Sequence, residues 1–432
     1  MNPKQKTLQI KPISNPLKSS IRVPGSKSIT NRSLLISALV DGITTINNAL
    51  FSDDCLYFAN ALQTLGFNIT LSPEEARITV AGQGGKIPAQ KADLFIGNAG
   101  TAARFLTAFL TLGSGEFILD GDARMRERPI EDLINALTGL GAKIEATNNQ
   151  QSPLCPPVKI NAAGLSGGKT KIAGDTSSQF LSALLMVAPY AKAPVEINLT
   201  TELFSKPYVE LTLSVMSDFG VEVDRFGYNR FIIRPARYNP RDSYLIESDA
   251  SAASYFFAAS AICGGSVRIE NISRSSKQGD IRFLDVLEKT GCVITHHENS
   301  IKVTGPSELM GLDLDLGDMP DTAQTLAVVA PFATSPTRIR GIASARLKET
   351  DRIAATCNEL NRIGVQVVEH DDGMTIYPCN EVHPGTIQTY NDHRMAMAFS
   401  LIGLRVPGIV IENPGCVSKT FPNFYSVLES LL

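Results

Sequence analysis

The 432-residue sequence lacks the features that mark several common classes of protein. It has no large excess of charge, with 40 basic and 43 acidic residues, which argues against a general binder of nucleic acid or membrane surfaces. Its N-terminal residues contain no apolar signal stretch, and its longest apolar runs fall short of the ~20 residues that span a bilayer. We therefore expect a cytoplasmic protein with no nucleic-acid or membrane partner.

Cysteine and histidine are too irregularly spaced to indicate a disulfide framework or a metal site. The seven cysteines, an odd number, are scattered without a CxxC pair, which is typical of reduced thiols in a cytosolic protein. The five histidines form no HExxH motif or other ligand spacing. The sequence therefore predicts no bound metal ion.

The sequence does contain two interleaved repeats. Segments that resemble a helix closed by glycine and followed by a strand recur with their glycines 71 to 79 residues apart. Ala-rich helices that open on small or polar residues recur every 70 to 77 residues between them. The closing glycines are Gly66, Gly141, Gly220, Gly291 and Gly364, and the Ala-rich helices begin near Lys27, Gly100, Ser177, Ser251, Asp321 and Asp392.

The sixth repeat lacks its last strand, because the chain stops where its closing glycine would fall. The spare strand TLQIKPI (7–13) lies at the other terminus, and we expect it to complete the sixth unit. The Pro- and Arg-rich segment 234–242 indicates the return crossing between the halves. The sequence therefore predicts a first domain of residues 21–238 and a second of residues 1–20 plus 239–432, each with three repeats.

The residues that open the Ala-rich helices are suited to binding anions. Helix N-termini offer unpaired amides and the positive end of the dipole. In VPGSKSITNR (23–32), Ser28 and Arg32 are four residues apart on one helix face and can hold one anion together. This motif is not a Walker A loop, since Ile21 and Ser26 stand where that loop needs glycine.

Seven cations lie at or near loop-to-helix junctions in both halves. Exposed ion pairs are the alternative explanation within RLKETDR (346–352), and simple helix capping is the alternative for Asp321. As a set, the cations suit substrates that carry phosphate and carboxylate groups, with Asp321, Glu349 and the lysines as candidate acids and bases. The cations are Lys27, Arg32, Arg128, Lys348, Arg352, Arg394 and Lys419.

Together these motifs resemble the family of 5-enolpyruvylshikimate-3-phosphate synthases, the enolpyruvyl transferases of the shikimate pathway. PGSKSITNR, LFIGNAGTAAR, RERPI, SSQFLSALLM, SKPY, PDTAQTLA, LKETDR, NDHRMAM and SKTFP occur in the family's order, nearly end to end. The resemblance implies an α/β fold, a two-domain inside-out α/β barrel. Each domain would contain three βαβαββ units with helix N-termini facing the inter-domain cleft.

The resemblance also implies an activity: transfer of the enolpyruvyl group of phosphoenolpyruvate to the 5-hydroxyl of shikimate 3-phosphate, with release of phosphate, in the biosynthesis of chorismate and aromatic amino acids. Asp321 would accept the hydroxyl proton, and Glu349 and Lys27 are candidates for proton transfer at C3 and at the departing phosphate. The first domain would mainly bind shikimate 3-phosphate, and the second would supply phosphoenolpyruvate-binding and catalytic groups. No metal or organic cofactor is expected.

The resemblance assigns residues to each ligand. Shikimate 3-phosphate would be bound by Lys27, Ser28, Arg32, Ser177, Ser178, Gln179, Ser205, Asp321 and Lys348. Phosphoenolpyruvate would be bound by Lys27, Asn98, Gly100, Arg128, Gln179, Arg352, Arg394 and Lys419.

Two positions depart from the family pattern. Ser344 and Ala345 stand where many relatives have Asn-Trp, which affects one substrate contact. Phe105 stands where many have proline, and could reshape the helix that carries Gly100. Glyphosate occupies the phosphoenolpyruvate site in this family, and because Gly100 is unhindered we expect the inhibitor to act here.

Two alternatives remain open. UDP-N-acetylglucosamine 1-carboxyvinyltransferase shares the fold and phosphoenolpyruvate, but it typically carries a reactive cysteine in a loop where SGEFILDGDARMRERPI (114–130) has none. A non-catalytic anion-binding protein is the second alternative, and Lys27, Asp321 and Glu349 weigh against it. With no coiled coil or exposed apolar stripe evident in the sequence, a monomer is expected.

Overall fold

The structure, a computed structural model, describes residues 6–147 and 152–432 as alternating helices and strands. The α-helices are α1 (Lys27–Leu39), α2 (Asp53–Thr64), α3 (Gly100–Leu110), α4 (Glu131–Gly139), α5 (Ser178–Val187), α6 (Lys206–Asp218), α7 (Ala250–Cys263), α8 (Phe283–Lys289), α9 (Ala323–Val329), α10 (Arg352–Arg362), α11 (His393–Gly403) and α12 (Phe424–Glu429). The strands are β1 (Thr7–Gln9), β2 (Leu17–Ile21), β3 (Asp41–Asn47), β4 (Asn68–Ser72), β5 (Arg77–Gln83), β6 (Lys91–Phe95), β7 (Ser114–Asp120), β8 (Lys143–Ala146), β9 (Val158–Ala163), β10 (Gly168–Ile172), β11 (Val195–Leu199), β12 (Asp224–Phe226), β13 (Arg230–Ile233), β14 (Tyr244–Leu245), β15 (Gly265–Glu270), β16 (Val293–His296), β17 (Ser300–Thr304), β18 (Asp313–Asp315), β19 (Thr337–Arg340), β20 (Val367–His370), β21 (Gly373–Ile376), β22 (Gly385–Ile387) and β23 (Ile409–Glu412).

The strands form small sheets with one repeated design. In the sheet ordered β6-β7-β9-β8, β6 and β7 are parallel because helix α3 connects them, and β9 and β8 continue the sheet in antiparallel pairs. The chain order of this unit is therefore βαβαββ. The same order recurs in residues 168–233 and 313–376, which confirms the predicted repeat.

The helix ends also fall where the repeats predict them. The five closing glycines all have positive φ, between 84° and 107°, a conformation that glycine adopts more readily than any residue with a Cβ. Each Ala-rich helix starts within two residues of its marker, at α1, α3, α5, α7, α9 and α11. These six helices are buried along nearly their whole length and pack at the centre of their units.

The sixth sheet is completed from the opposite end of the sequence, as predicted. Strand β1 pairs antiparallel with β23, with Leu8 opposite Ile411, while β22 pairs parallel with β23. Only Thr7–Gln9 of the predicted 7–13 strand is extended in this way. Strand β1 thus takes the position that β9 holds in its own sheet.

The chain divides into two compact units with separate hydrophobic cores. The first unit is Gly25–Ile246, and the second combines the described residues up to Pro24 with Glu247–Leu432. The first unit extends beyond the predicted crossing at 234–242 because β14 pairs with β3. The predicted boundaries at 21 and 238 therefore differ from this division by four and eight residues. Residues 1–5 of the predicted second domain lie outside the described residues.

None of the helices in residues 6–147 and 152–432 is long and apolar enough to cross a membrane.

Candidate active site

In the first unit, helix α1 carries a buried arginine whose partners are all neutral. Arg32 is 2% exposed. Its Nε donates to Thr212 Oγ1 at 2.8 Å, its Nη1 to the Ser28 carbonyl at 2.9 Å and its Nη2 to the Tyr208 carbonyl at 3.1 Å. Burial lowers the pKa of Arg32 to about 10, so the guanidinium is still charged at neutral pH. In residues 6–147 and 152–432 no carboxylate forms an ion pair with it, so its charge is open to compensation by an anionic ligand.

The first residue of α1 is fixed by a neighbouring helix. Lys27 Nζ lies 3.3 Å from Asp54 Oδ2 on α2, and the Asp54 side chain is 4% exposed. The Lys27 side chain is 17% exposed, so it is held by a buried carboxylate and still has access to solvent. A lysine in this position can contact an anion without losing its orientation.

The start of α3 is pressed against another arginine. Arg128 Nη1 donates to Asn98 Oδ1 at 2.9 Å and to the Asn98 carbonyl at 3.2 Å. A Cβ atom on Gly100 would lie 2.4 Å from Arg128 Nη2, closer than any real contact. Glycine is therefore required at position 100 for the guanidinium to sit against the helix N-terminus. Arg128 is 6% exposed, so this cation is also largely removed from water.

The start of α5 is linked to α3 by side chains. Ser177 caps α5 by accepting from the Gln179 amide at 3.3 Å. Gln179 Nε2 donates to Thr101 Oγ1 in the first turn of α3, also at 3.3 Å. Ser178 is buried, and Ser205 sits before α6 with a left-handed φ of 54°.

In the second unit, one arginine gathers three carboxylates. Arg352 Nη1 lies 3.0 Å from Asp321 Oδ1, its Nη2 2.7 Å from Glu349 Oε2 and its Nε 2.8 Å from Asp392 Oδ2. Its side chain is 4% exposed. Burial alone would lower the pKa of Arg352, but the three carboxylates outweigh it, led by Asp392, and the pKa lies above its ordinary value. Arg352 is therefore permanently charged and fixes the orientation of all three acids.

A second arginine holds Asp321 from the other side. Arg394 Nη2 lies 2.7 Å from Asp321 Oδ2, and Nη1 donates to the Asp321 carbonyl at 3.2 Å and to Tyr255 Oη at 3.3 Å. Burial raises the pKa of Tyr255 to about 12, so it contributes a neutral phenol. Asp392 caps α11 by accepting from the Arg394 amide at 2.8 Å. Asp321 is thus held by two guanidinium groups.

Glu349 is shared between an arginine and a lysine. Its Oε2 faces Arg352, and its Oε1 lies 3.5 Å from Lys419 Nζ. The Glu349 and Lys419 side chains are 8% and 12% exposed, respectively. Lys348 immediately precedes Glu349 at the end of the 3-10 turn Ala343–Leu347. The cluster therefore pairs three carboxylates with three cations in a largely desolvated setting.

Neither unit offers a metal centre in the described part of the chain. There is no group of three or more His, Cys, Asp or Glu side chains there that could hold a metal ion. All seven cysteines are free thiols.

Comparison with known proteins identifies the family. The model of the family described as EPSP synthase (3-phosphoshikimate 1-carboxyvinyltransferase) matches residues 11–428. The chain belongs to the EPSP synthase family. It is 48% identical over 420 residues to the 3-phosphoshikimate 1-carboxyvinyltransferase of Trichormus variabilis, covering 97% of this chain and 98% of the relative. It is also 48% identical over 428 residues to the enzyme of that name from Shewanella denitrificans, covering 99% of each chain.

Solved structures agree with the EPSP synthase assignment. The EPSP synthase from Acinetobacter baumannii superimposes with a TM-score of 0.82 at 25% identity, covering 99% of this chain and 98% of that one. The enolpyruvyl transferase NikO from Streptomyces tendae has a TM-score of 0.78 at 17% identity, with 99% and 97% coverage, and shows the shared fold alone. The family, the two-domain α/β fold and the enzyme class predicted from the sequence are therefore confirmed, and the alternative acceptor is not favoured.

The predicted EPSP synthase residues divide into two groups, one per unit. The second-unit group is one ion-pair network, apart from Lys348, which is only its neighbour in sequence. The first-unit group is held through neutral hydrogen bonds and one lysine–carboxylate pair. The first unit contains Lys27, Ser28, Arg32, Asn98, Gly100, Arg128, Ser177, Ser178, Gln179 and Ser205, and the second contains Asp321, Lys348, Glu349, Arg352, Arg394 and Lys419.

Five supporting residues were not predicted. Asp392 marked a repeat in the sequence but was not assigned to the site, although its place at a helix N-cap beside Arg394 was a usable signal. Asp54, Thr101, Thr212 and Tyr255 contact site residues from distant parts of the chain, and nothing in their local sequence indicates this.

The two departures from the EPSP synthase pattern have simple structural outcomes. Helix α3 continues without interruption through Phe105, whose ring lies 5.3 Å from the Arg32 guanidinium carbon. The helix is therefore not broken where relatives have proline. Ser344 and Ala345 lie in the turn Ala343–Leu347, where Ala345 is buried and offers no polar side chain to a ligand.

Proposed function

We propose that this protein transfers the enolpyruvyl group of phosphoenolpyruvate to the 5-hydroxyl of shikimate 3-phosphate and releases phosphate. The observation that carries the proposal is the second-unit cluster, in which Asp321 is held by Arg352 and Arg394 beside the Glu349–Lys419 pair. A general acid–base reaction on a polyanionic substrate requires carboxylates of fixed orientation among cations. Family membership supplies the identity of the substrates.

The first unit is suited to bind the acceptor. We infer that Lys27, Ser28 and Arg32 contact anionic groups of shikimate 3-phosphate at the start of α1. Arg32 supports this role because its charge is buried among neutral acceptors. The other acceptor contacts that we propose are Ser177, Ser178, Gln179 and Ser205 in this unit, and Asp321 and Lys348 in the second.

Phosphoenolpyruvate carries a phosphate and a carboxylate, and the cations proposed to bind it come from both units. Arg128 with Asn98 and the Gly100 amide form one such group, to which Lys27 and Gln179 add. Arg352, Arg394 and Lys419 form the other. Guanidinium groups suit planar carboxylate and phosphate oxygens because they donate two parallel hydrogen bonds.

The proposed reaction assigns each proton to a group. The 5-hydroxyl oxygen bonds to C2 of phosphoenolpyruvate as its proton passes to Asp321, and C3 gains a proton from Glu349 or Lys27. The C2–O bond to phosphate then breaks as C3 returns its proton to the group that supplied it, and the proton held by Asp321 passes to the departing phosphate, so that enol ether and phosphate are the products. Arg352, Arg394 and Lys419 would stabilise negative charge on the departing phosphate. No metal ion or organic cofactor takes part in this scheme.

The test is to follow inorganic phosphate while the full chain is incubated with phosphoenolpyruvate and either shikimate 3-phosphate or UDP-N-acetylglucosamine. We expect release only with shikimate 3-phosphate. Lys27→Met should bind both ligands with reduced affinity and, at saturating substrate, turn over at least a hundredfold more slowly. Lys169→Met, at a lysine whose side chain is 77% exposed, is the matched control and should be unaffected.

Asp321→Asn is the second diagnostic variant, with an expected loss in kcat of about 10²–10⁴-fold. Asp313→Asn is its control, since Asp313 pairs with an arginine at 2.7 Å in the same unit but has a 65% exposed side chain. Full activity of Asp321→Asn, or release of phosphate with the nucleotide-sugar acceptor alone, would refute the proposal. A protein that binds both ligands without any turnover would support the non-catalytic alternative instead.

Inhibition by glyphosate, a monomeric state and a cytoplasmic location remain predictions. Glyphosate is proposed to compete with phosphoenolpyruvate next to Gly100, where a guanidinium approaches the helix start. Inhibition kinetics test that contact. Sedimentation of the full chain tests the monomer.

A further inference from the structure

The strongest unassigned feature is a pocket of about 460 Å³ in the second unit, remote in the fold from the ion-pair cluster. It lies at the C-terminal ends of the central helices α7, α9 and α11, whereas Asp321 and Arg394 lie near the N-terminal ends of α9 and α11. Its size is within the range of small-molecule sites. The pocket opens to solvent, since Asn15, Glu308 and Arg405 of its lining are exposed.

The first unit shows what fills the corresponding place. The chain leaves the third sheet of that unit at β13 and crosses to β14, just as it leaves β1 and crosses to β2 in the second unit. The two crossings begin with equivalent contacts. The Ala236 amide donates to the Pro189 carbonyl at 2.9 Å beyond α5, and the Ile13 amide donates to the Leu404 carbonyl at 2.7 Å beyond α11.

Two residues further on, the crossings differ. In the first unit Tyr238 follows, 2% exposed, and its phenol donates to the Met186 carbonyl of α5 at 3.0 Å. A second phenol, Tyr190, packs on it with a centroid separation of 6.0 Å and donates to the Leu39 carbonyl at the end of α1. In the second unit the residue at that step is Asn15, which is exposed and lines the pocket.

The lining of the pocket suits a phenol ring such as that of Tyr238. Ile262, Cys263 and Phe332 give it apolar walls, and Arg405 and Glu308 are the charged residues among its lining. The Arg405 guanidinium lies 4.8 Å from the Phe332 ring and donates to the Ile262 carbonyl at 2.8 Å. The contact of Tyr190 with Leu39 in the first unit is equivalent. Tyr190 follows α5 and contacts the end of α1, and Arg405 follows α11 and contacts the end of α7.

We propose that this pocket binds a small phenol whose ring takes the position that Tyr238 occupies in the first unit. The ring would lie between the ends of α7, α9 and α11, and its hydroxyl would donate to a main-chain carbonyl at a helix C-terminus, where acceptors are in excess. The remaining volume leaves room for a polar tail toward Arg405 or Glu308. Such a ligand is chemically distinct from the polyanionic substrates proposed for the clusters above.

The experiment measures binding to the full chain by ligand-detected NMR, with p-cresol, toluene, tyramine and 3-(4-hydroxyphenyl)propanoate as probes. We expect p-cresol to bind at least tenfold more tightly than toluene, since only p-cresol can donate a hydrogen bond to a main-chain carbonyl at a helix end. Tighter binding of the propanoate would place the tail at Arg405, and tighter binding of tyramine would place it at Glu308. Binding of none of the phenols at millimolar concentration, or equal binding of toluene and p-cresol, would overturn the proposal.

Asn15→Tyr tests the location of the site, because it installs the ring that the first unit carries. We expect it to weaken p-cresol binding at least tenfold, while Asn15→Ser, which leaves the pocket empty, binds as the unmodified chain does. Arg405→Met, at a second and exposed position, should weaken binding several-fold, because the Arg405 side chain packs on Phe332 in the wall of the pocket. Phosphate release with both substrates should be retained in all three variants, which also shows that they fold. Phenol binding that Asn15→Tyr leaves intact would overturn the assignment.

Discussion

Gly100→Ala is the substitution for which the structure gives the most specific expectation. The new Cβ would lie 2.4 Å from Arg128 Nη2, 2.8 Å from the guanidinium carbon and 2.9 Å from Nη1. Ordinary contact begins near 3.4 Å, so the guanidinium must retreat by about 1 Å. Because Gly100 has no positive φ, the strain is confined to this contact.

The retreat has a calculable cost. Arg128 Nη1 now donates to Asn98 Oδ1 at 2.9 Å and to the Asn98 carbonyl at 3.2 Å, and a shift of that size stretches both beyond useful length. A hydrogen bond to a charged group contributes about 1.5–3 kcal/mol, which corresponds to about 10- to 100-fold in affinity for an anion that depends on Arg128. Ligands that do not contact Arg128 should be unaffected.

The assay is steady-state kinetics with both substrates, followed by inhibition with glyphosate. We expect Gly100→Ala to raise the KM for phosphoenolpyruvate and the inhibition constant for glyphosate by at least tenfold, and to leave the affinity for shikimate 3-phosphate within a factor of about two. Gly415→Ala is the control, since the nearest heavy atom to its Cβ is 4.0 Å away. Comparable, weak glyphosate inhibition of the unmodified chain and Gly100→Ala would refute the reasoning.

Three further substitutions test the surroundings of the two clusters. Burial, reinforced by Asp321, raises the pKa of Asp280 from 3.8 to about 7, so the contribution of this group to stability is lost as pH rises between these values. Asp280→Asn should therefore raise Tm at about pH 8 but not at about pH 4, and an equal change at both would contradict this. Glu359, fully buried, accepts from Tyr390 Oη at 2.8 Å, and Tyr390 lies two residues before Asp392, which pairs with Arg352. If this contact positions Arg352, Glu359→Gln should lower kcat/KM about tenfold with a raised KM for phosphoenolpyruvate, whereas a loss of Tm alone would contradict that role. Thr212→Val removes the acceptor of Arg32 Nε and should weaken shikimate 3-phosphate binding about tenfold in a titration, while unchanged affinity would show that Arg32 is held by its other partners.

The repeat architecture could be predicted because each unit carries its own local signals. Glycine at a helix C-terminus and small or polar residues at a helix N-terminus act within a few residues, so their spacing reports the fold directly. The role of β1 followed from counting, since five complete units left one strand unassigned. The exact position of the return crossing did not follow, because β14 is a two-residue strand whose pairing with β3 is set by tertiary contacts.

The site could be predicted as a set of residue types but not as a set of pairs. The local pattern of RLKETDR (346–352) suggests exposed ion pairs, whereas the structure buries Arg352 with Glu349 and adds Asp321 and Asp392 from distant segments. Burial of a charged residue depends on which elements pack over it, and a local sequence pattern does not contain that information. For the same reason, Thr212 could not be linked to Arg32 across 180 residues of sequence.

The arginines of the two units are stabilised in opposite ways, and this difference explains how a chain of net charge −3 can serve anionic substrates. Arg352 and Arg394 are neutralised by carboxylates, so an incoming phosphate or carboxylate group must compete with Asp321 and Glu349 for them. Because Arg32 is held by hydroxyl and carbonyl groups, an anion that reaches it displaces no carboxylate. The neutral acceptors keep the side chain in place and leave its charge available, whereas the carboxylates of the second unit are themselves held ready to exchange protons.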